Sequence, residues 1–122
     1  MPGFPVRKIV PLFHKHNVDL VVTSHDHYYE HNEYTENHKT IPYLITGGGG
    51  APLIEKEKTK NEFSKKIIKA YHFIKAEVSR EKTGSKKWKL ELEVLGRRVD
   101  PMEQTKQKWE KLDALKIEKN FR

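Results

Sequence analysis

His25 and His27 stand one residue apart directly after the apolar run Val18-Asp19-Leu20-Val21-Val22. The run is compact and β-branched, too short to be a helix by itself, and reads as a buried strand. At strand pitch the two imidazoles project to the same side, their Cβ atoms ~7 Å apart. Side chains of that reach converge well enough for each to hold one ion of a metal pair ~3.5–4 Å apart. The carboxyl end of a strand is also where ligands and catalytic groups collect in open sheets. With seven histidines in the chain, the H-x-H pair is a weak motif alone, and its neighbours must carry the argument.

The elements that position the pair can be read on either side. Residues 6–16 bring Val6, Ile9, Val10, Leu12 and Phe13 close to a 3.6-residue period, which predicts a short amphipathic helix with Pro11 as a kink or first turn. His14 and His16 near its end are expected at the surface, where the helix dipole favours a partly protonated ring. Residues 28–40 are polar and read as a loop rimming the site. Within that loop Tyr28 and Tyr29 either contact substrate or pack beneath it, and His31 and His38 offer donors to a phosphate. Pro42 opens a second strand, Tyr43-Leu44-Ile45-Thr46, which runs into Gly47-Gly48-Gly49-Gly50. No Gly-Lys-Ser/Thr follows, so this is a tight, close-approaching turn and not a P-loop.

Downstream, residues 69–79 and 86–95 form the clearest hairpin, turning through Glu81-Lys82-Thr83-Gly84-Ser85. Trp88, Leu90, Leu92 and Val94 alternate with Lys87, Lys89, Glu91 and Glu93. In the first arm Tyr71 and Phe73 face one way, His72 and Ile74 the other. His72 is expected to pack or to hydrogen-bond. After a polar exit over residues 97–101, Trp109, Leu112 and Leu115 suggest a narrow apolar stripe on a charged helix ending near Asn120.

Taken together, Leu12-Phe13-His14-Lys15-His16-Asn17-Val18-Asp19-Leu20-Val21-Val22-Thr23-Ser24-His25-Asp26-His27-Tyr28-Tyr29-Glu30, then Ile41-Pro42-Tyr43-Leu44-Ile45-Thr46-Gly47-Gly48-Gly49-Gly50-Ala51-Pro52-Leu53, then Tyr71-His72-Phe73-Ile74-Lys75-Ala76-Glu77-Val78 resemble the last part of the calcineurin-like metallophosphoesterases, purple-acid-phosphatase-like branch. Ser24 stands where that family has Gly; if the glycine serves a backbone conformation or close approach, Ser costs roughly 1 kcal/mol or more in strain, and otherwise its hydroxyl is offered to the site. His31 stands where the branch often has Arg. The resemblance implies an α+β fold, a partial αββα sandwich with one mostly antiparallel sheet and flanking helices, lacking its N-terminal half. Residues 1–100 would be the C-terminal segment of that domain and residues 101–122 a charged helix or tail.

The resemblance also implies a pair of Fe, Mn or Zn ions, with His25 on the second and His27 on the first, and the glycine turn beside them. In that family a metal-bridging hydroxide attacks phosphorus. The family's D-x-H, G-D-x-x-D and G-N-H-E/D motifs are missing. The aspartates are Asp19, Asp26, Asp100 and Asp113, none in such a setting. The chain is therefore expected to be a fragment, Met1 an internal or split-gene start, inactive alone, with no catalytic residue of its own. Its expected partners are a phosphorylated substrate in the complete enzyme and an N-terminal half, or a second copy, docked on an uncovered sheet face.

Composition bounds these readings. The 122 residues suffice for one domain, with 35% hydrophobic and 34% charged residues. The absence of cysteine excludes disulfides and thiolate sites. No apolar run approaches ~20 residues and no signal-peptide core follows Met1, which suggests a soluble, by default cytoplasmic chain. The net charge of +7 fits a solvated lysine-rich surface. It also permits the alternatives, a non-catalytic basic interaction or phosphate-binding module or a purely structural domain. No nucleic-acid motif accompanies the charge.

Overall fold

The computed structural model describes residues 4–54, 59–98 and 108–121. In chain order these form α1 (Phe4–Lys15), β1 (Val21–Thr23), β2 (Tyr29–Glu36), β3 (Lys39–Thr46), β4 (Ser64–Ile68), β5 (Ala70–Arg80), β6 (Lys87–Arg98) and β7 (Glu110–Asn120). The first four strands make one sheet in the order β1-β3-β2-β4. The last three make a second, β5-β6-β7. The protein is thus mostly β, and the expected sandwich flanked by helices is not what forms: α1 is the only helix among the described residues.

α1 ends as its sequence dictates. Asn17 takes the left-handed conformation at φ 59°. Val18 N–H then bonds to Phe13 O at 3.0 Å and Asn17 N–H to His14 O at 3.2 Å, the paired closure that satisfies the last carbonyls of a helix. The helix lies on one face of the first sheet, Phe13 at 6.3 Å from Tyr43 and His14 edge-on to Tyr34 at 5.2 Å. His14 is not a surface residue: its side chain is 2% exposed, with Nδ1 3.3 Å from Val10 O and Nε2 3.4 Å from Tyr34 O.

The polar stretch expected as a rim loop is a hairpin. β2 and β3 pair antiparallel from Tyr29↔Thr46 to Glu36↔Lys39, and Asn37 and His38 make the two-residue link with φ of 51° and 63°. Positive φ at both central positions is what a twisted hairpin requires. Its period-2 signal is hidden because Glu30, Asn32 and Thr35 are polar on strands. Glu30 accepts from Ser64 Oγ at 2.6 Å, and the Thr35 and Thr40 hydroxyls bond across the strands at 2.7 Å.

The C-terminal helix is also absent over the described part: Glu110–Asn120 is a strand paired antiparallel to β6. Of the expected polar exit, Arg97 and Arg98 are the last residues of β6, and residues 99–107, with the rest of it and the first turns of that expected helix, lie outside the described residues. The physical reason is a bulge. Pairing shifts between Val94↔Asp113 and Leu95↔Lys111, so Leu112 and Asp113 are both buried although consecutive. Leu115, Ile117 and Lys119 then resume alternation. The extra residue converts a period of two into the 112/115 spacing of a helix.

The two sheets meet over Tyr29, Leu44 and Ile68 on one side and Ala70, Leu92, Val94 and Leu112 on the other. Into this apolar contact β7 also turns one carboxylate, that of Asp113, which lies opposite the buried Val94. Asp113 Oδ2 accepts from Tyr29 Oη at 2.7 Å and His31 Nδ1 at 2.9 Å, while Oδ1 accepts from Ala114 N–H at 2.9 Å and lies 3.3 Å from Lys66 Nζ. Burial alone would raise the Asp113 pKa. The donors from Tyr29, His31 and Ala114 outweigh it and hold the carboxyl below its usual range. For Tyr29, burial and the adjacent carboxylate push the phenol far above its normal value.

The expected hairpin forms as β5 and β6, in unbroken register from Ala70↔Arg98 to Arg80↔Trp88, with the inner face even-numbered. Asp113→Ala should lower stability by about 3 kcal/mol in urea denaturation, because two buried donors lose their acceptor. The folded carboxyl titrates below the unfolded one. Its contribution is therefore complete above the unfolded value and is lost as pH falls through the folded value. Asp113→Asn should flatten the acid limb of the stability profile.

Candidate functional site

β1 and β3 run parallel, with Thr23 opposite Ile45. Their carboxyl ends therefore release two loops side by side, the bend at His25–Tyr28 and the turn from Gly47. The strand stops at Thr23, so His25 and His27 sit in the bend and not on the strand. The equal-facing geometry expected from strand pitch therefore does not apply.

Backbone contacts clasp the bend. Gly47 N–H bonds to Tyr28 O and Ile54 N–H to His27 O, each at 3.2 Å. A Cβ on Gly47 would overlap the Asp26 carbonyl, and one on Gly48 would strike the His72 ring and Ala70 O. Glycine lets the turn press against the bend at position 47 and against β5 at position 48, as expected of a close-approaching turn.

His27 is half-buried, and its Nδ1–H donates to Pro52 O at 2.7 Å. That bond fixes the ring and leaves Nε2 with the lone pair. A backbone carbonyl holding the far nitrogen is the usual support for a metal-binding imidazole. His25 is exposed and holds φ 89°, a conformation that side-chain-bearing residues adopt at a cost of about 1–3 kcal/mol. Strain expected at Ser24 is not there, since Ser24 is outside the positive-φ residues and the strain falls on the histidine after it.

Asp26 is exposed, with Oδ2 3.4 Å from Tyr28 Oη. Tyr28 and Tyr29 are both buried, the first beneath the bend and the second in the inter-sheet core. The other histidines are elsewhere. His31 turns into the sheet interface, its Nε2 3.2 Å from Glu33 Oε1. His16 is exposed at the end of α1, and His38 sits at the hairpin tip, roughly 25 Å along β2 from the bend.

His72 underpins the arrangement from below. Its N–H reaches Gly48 O at 3.0 Å, its Nδ1–H donates to Ala70 O at 2.9 Å, and Nε2 accepts from Thr46 Oγ1 at 2.8 Å. The ring stands edge-on to Tyr29 at 5.4 Å. Burial lowers its pKa, against the pull of Ala70 O, and keeps it neutral. The hydrogen-bonding role expected for this residue is the one it plays. The Asp113 anchor, by contrast, carried no motif in the sequence.

The donor set decides what the bend can hold. Among the described residues no group of three or more His, Cys, Asp or Glu side chains is placed to take a metal ion. Two imidazoles and Asp26 do not fit a dinuclear centre, which needs more carboxylate, amide and imidazole ligands. Among the described residues no helix is long and apolar enough to cross a membrane. No protein-family model, curated protein or solved structure matches the chain.

Two outcomes follow from the bend. His25→Gly should raise stability by ~1 kcal/mol in chemical denaturation, because it relieves the positive φ. Long-range proton–nitrogen NMR should find the neutral ring of His27 in the tautomer with its proton on Nδ1.

Proposed function

We propose that the chain is the C-terminal part of a metal-dependent phosphoesterase, related to the calcineurin-like metallophosphoesterases, and that His25 and His27 are two of its metal donors. The observation that carries this reading is the treatment of the two histidines at the carboxyl end of a parallel strand. One is held in a costly backbone conformation, and the other has its far nitrogen tied to the Pro52 carbonyl so that Nε2 is presented. Strain of this kind is retained where the surrounding structure enforces it, and it gathers at sites of chemistry.

On this reading the chain contributes ligands and their supporting loop, and the remaining donors come from a segment that completes the centre. A phosphate ester is the substrate, and Fe, Mn or Zn the metals of the completed domain. The chain alone is a weak two-imidazole binder and hydrolyses nothing.

Calorimetric titration with Zn, Mn or Fe tests this. Binding should be weak in the unaltered chain, and His25→Ala or His27→Ala should weaken it by more than the ~10–100-fold typical of losing an outer partner. An aryl phosphate should remain intact with any of these metals. Metal binding indifferent to both replacements would sink the proposal. Salt-sensitive polyanion binding without metal would instead favour the basic interaction module.

A further inference from the structure

β5 is an edge strand of the second sheet, eleven residues long, paired to β6 with no bulge and containing no proline. The other edges are blunted: β1 has three residues, β4 has five, and β7 is bulged. Which backbone groups face the open side of β5 follows from one bond. His72 N–H points away from β6, to Gly48 O at 3.0 Å. Alternation along an antiparallel strand then turns the N–H and C=O of Ile74, Ala76 and Val78 outward as well. Among the described residues no backbone partner meets them. The glycine turn closes the edge at His72, so the open stretch begins at Ile74.

We infer that this edge pairs antiparallel with β5 of a second copy of the chain, with Ala76 on the two-fold axis. That register sets Lys75 opposite Glu77 of the second copy, and Glu77 opposite its Lys75. It also sets Ile74 opposite Val78, on the inner face. Val78 is 64% exposed in the single chain. Within its own sheet Lys75 lies across from Glu93, which is paired with Lys111, and Glu77 lies across from Glu91, which is paired with Lys89. The second copy adds an opposite charge facing each of Lys75 and Glu77. Centring on Lys75 or on Glu77 would place like charges face to face, and a one-residue slip would set inner against outer faces. Among the registers centred on residues 75 to 77, charge and apolarity therefore select one, and the contact is isologous, as a two-fold interface must be. Ile74, Ala76 and Val78 exchange hydrogen bonds with Val78, Ala76 and Ile74 of the second copy, extending both three-stranded sheets into one. The inference is independent of the metal chemistry proposed for the bend.

Sedimentation of the full chain over a concentration series tests it. A concentration-dependent dimer is expected. Ala76→Pro removes an outward N–H without touching the bonds to β6, and should leave a monomer. Lys75→Glu alone and Glu77→Lys alone should each weaken association about 10-fold or more, since each creates two like-charge pairs. The double reversal restores opposite charges and should return association to near its original strength, an outcome that loss of folding could not produce. A chain that stays monomeric up to ~1 mM overturns the inference. So does a dimer unaffected by the single reversals.

Discussion

The two sheets are joined by an apolar contact, but what fixes them against each other is a carboxylate in the middle of it. Asp113 serves the phenol of Tyr29 and the imidazole of His31, both from the central strand of the opposite sheet. A buried acceptor meeting two buried donors is directional where side-chain packing is not, so it sets one alignment of the sheets. Asp113 faces inward because it lies opposite Val94, on the same alternation as Leu115 and Ile117, and the bulge in β7 adds Leu112 to the inner face beside it.

The candidate site inherits this alignment. Tyr29 directly follows the bend that carries His25 and His27, and its ring abuts His72, which in turn holds the glycine turn against that bend. The bend is thus tied to the sheet interface through two aromatic rings and a run of short backbone bonds. Its two histidines are treated differently by this frame: one is tethered through its ring, the other through a strained main chain. An exposed bend without such supports would relax.

Much of this was legible in the residues. The β5–β6 hairpin announced itself through strict alternation from Trp88 to Val94, and α1 through its apolar period. The glycine turn and the role of His72 were readable because close approach and a buried imidazole leave few options. The failures have specific causes. β2 looked like a loop because its strand residues satisfy one another through hydroxyl and carboxyl bonds and do not advertise an apolar face. β7 looked like a helix because one inserted residue shifted its phase. The expectation of flanking helices follows from the resemblance and that of a C-terminal helix from the spacing of Trp109, Leu112 and Leu115; among the described residues α1 is the only helix, and Glu110–Asn120 is a strand. Positive φ at His25 leaves no trace in composition, so nothing in the residues marks it, and not Ser24, as the strained position.

The bonds that complete the structure are also the most remote along the chain. Asp113 meets Tyr29 across 84 residues, and Lys119 reaches Asp19 across 100. Contacts of that span demand closure of nearly the whole polypeptide before they stabilise anything, which makes assembly slow relative to local hairpins. Until β7 is in place, the central strand of the first sheet carries a phenol and an imidazole with no acceptor. A nascent chain released before residue 110 would therefore hold its two hairpins but lack the clasp between them.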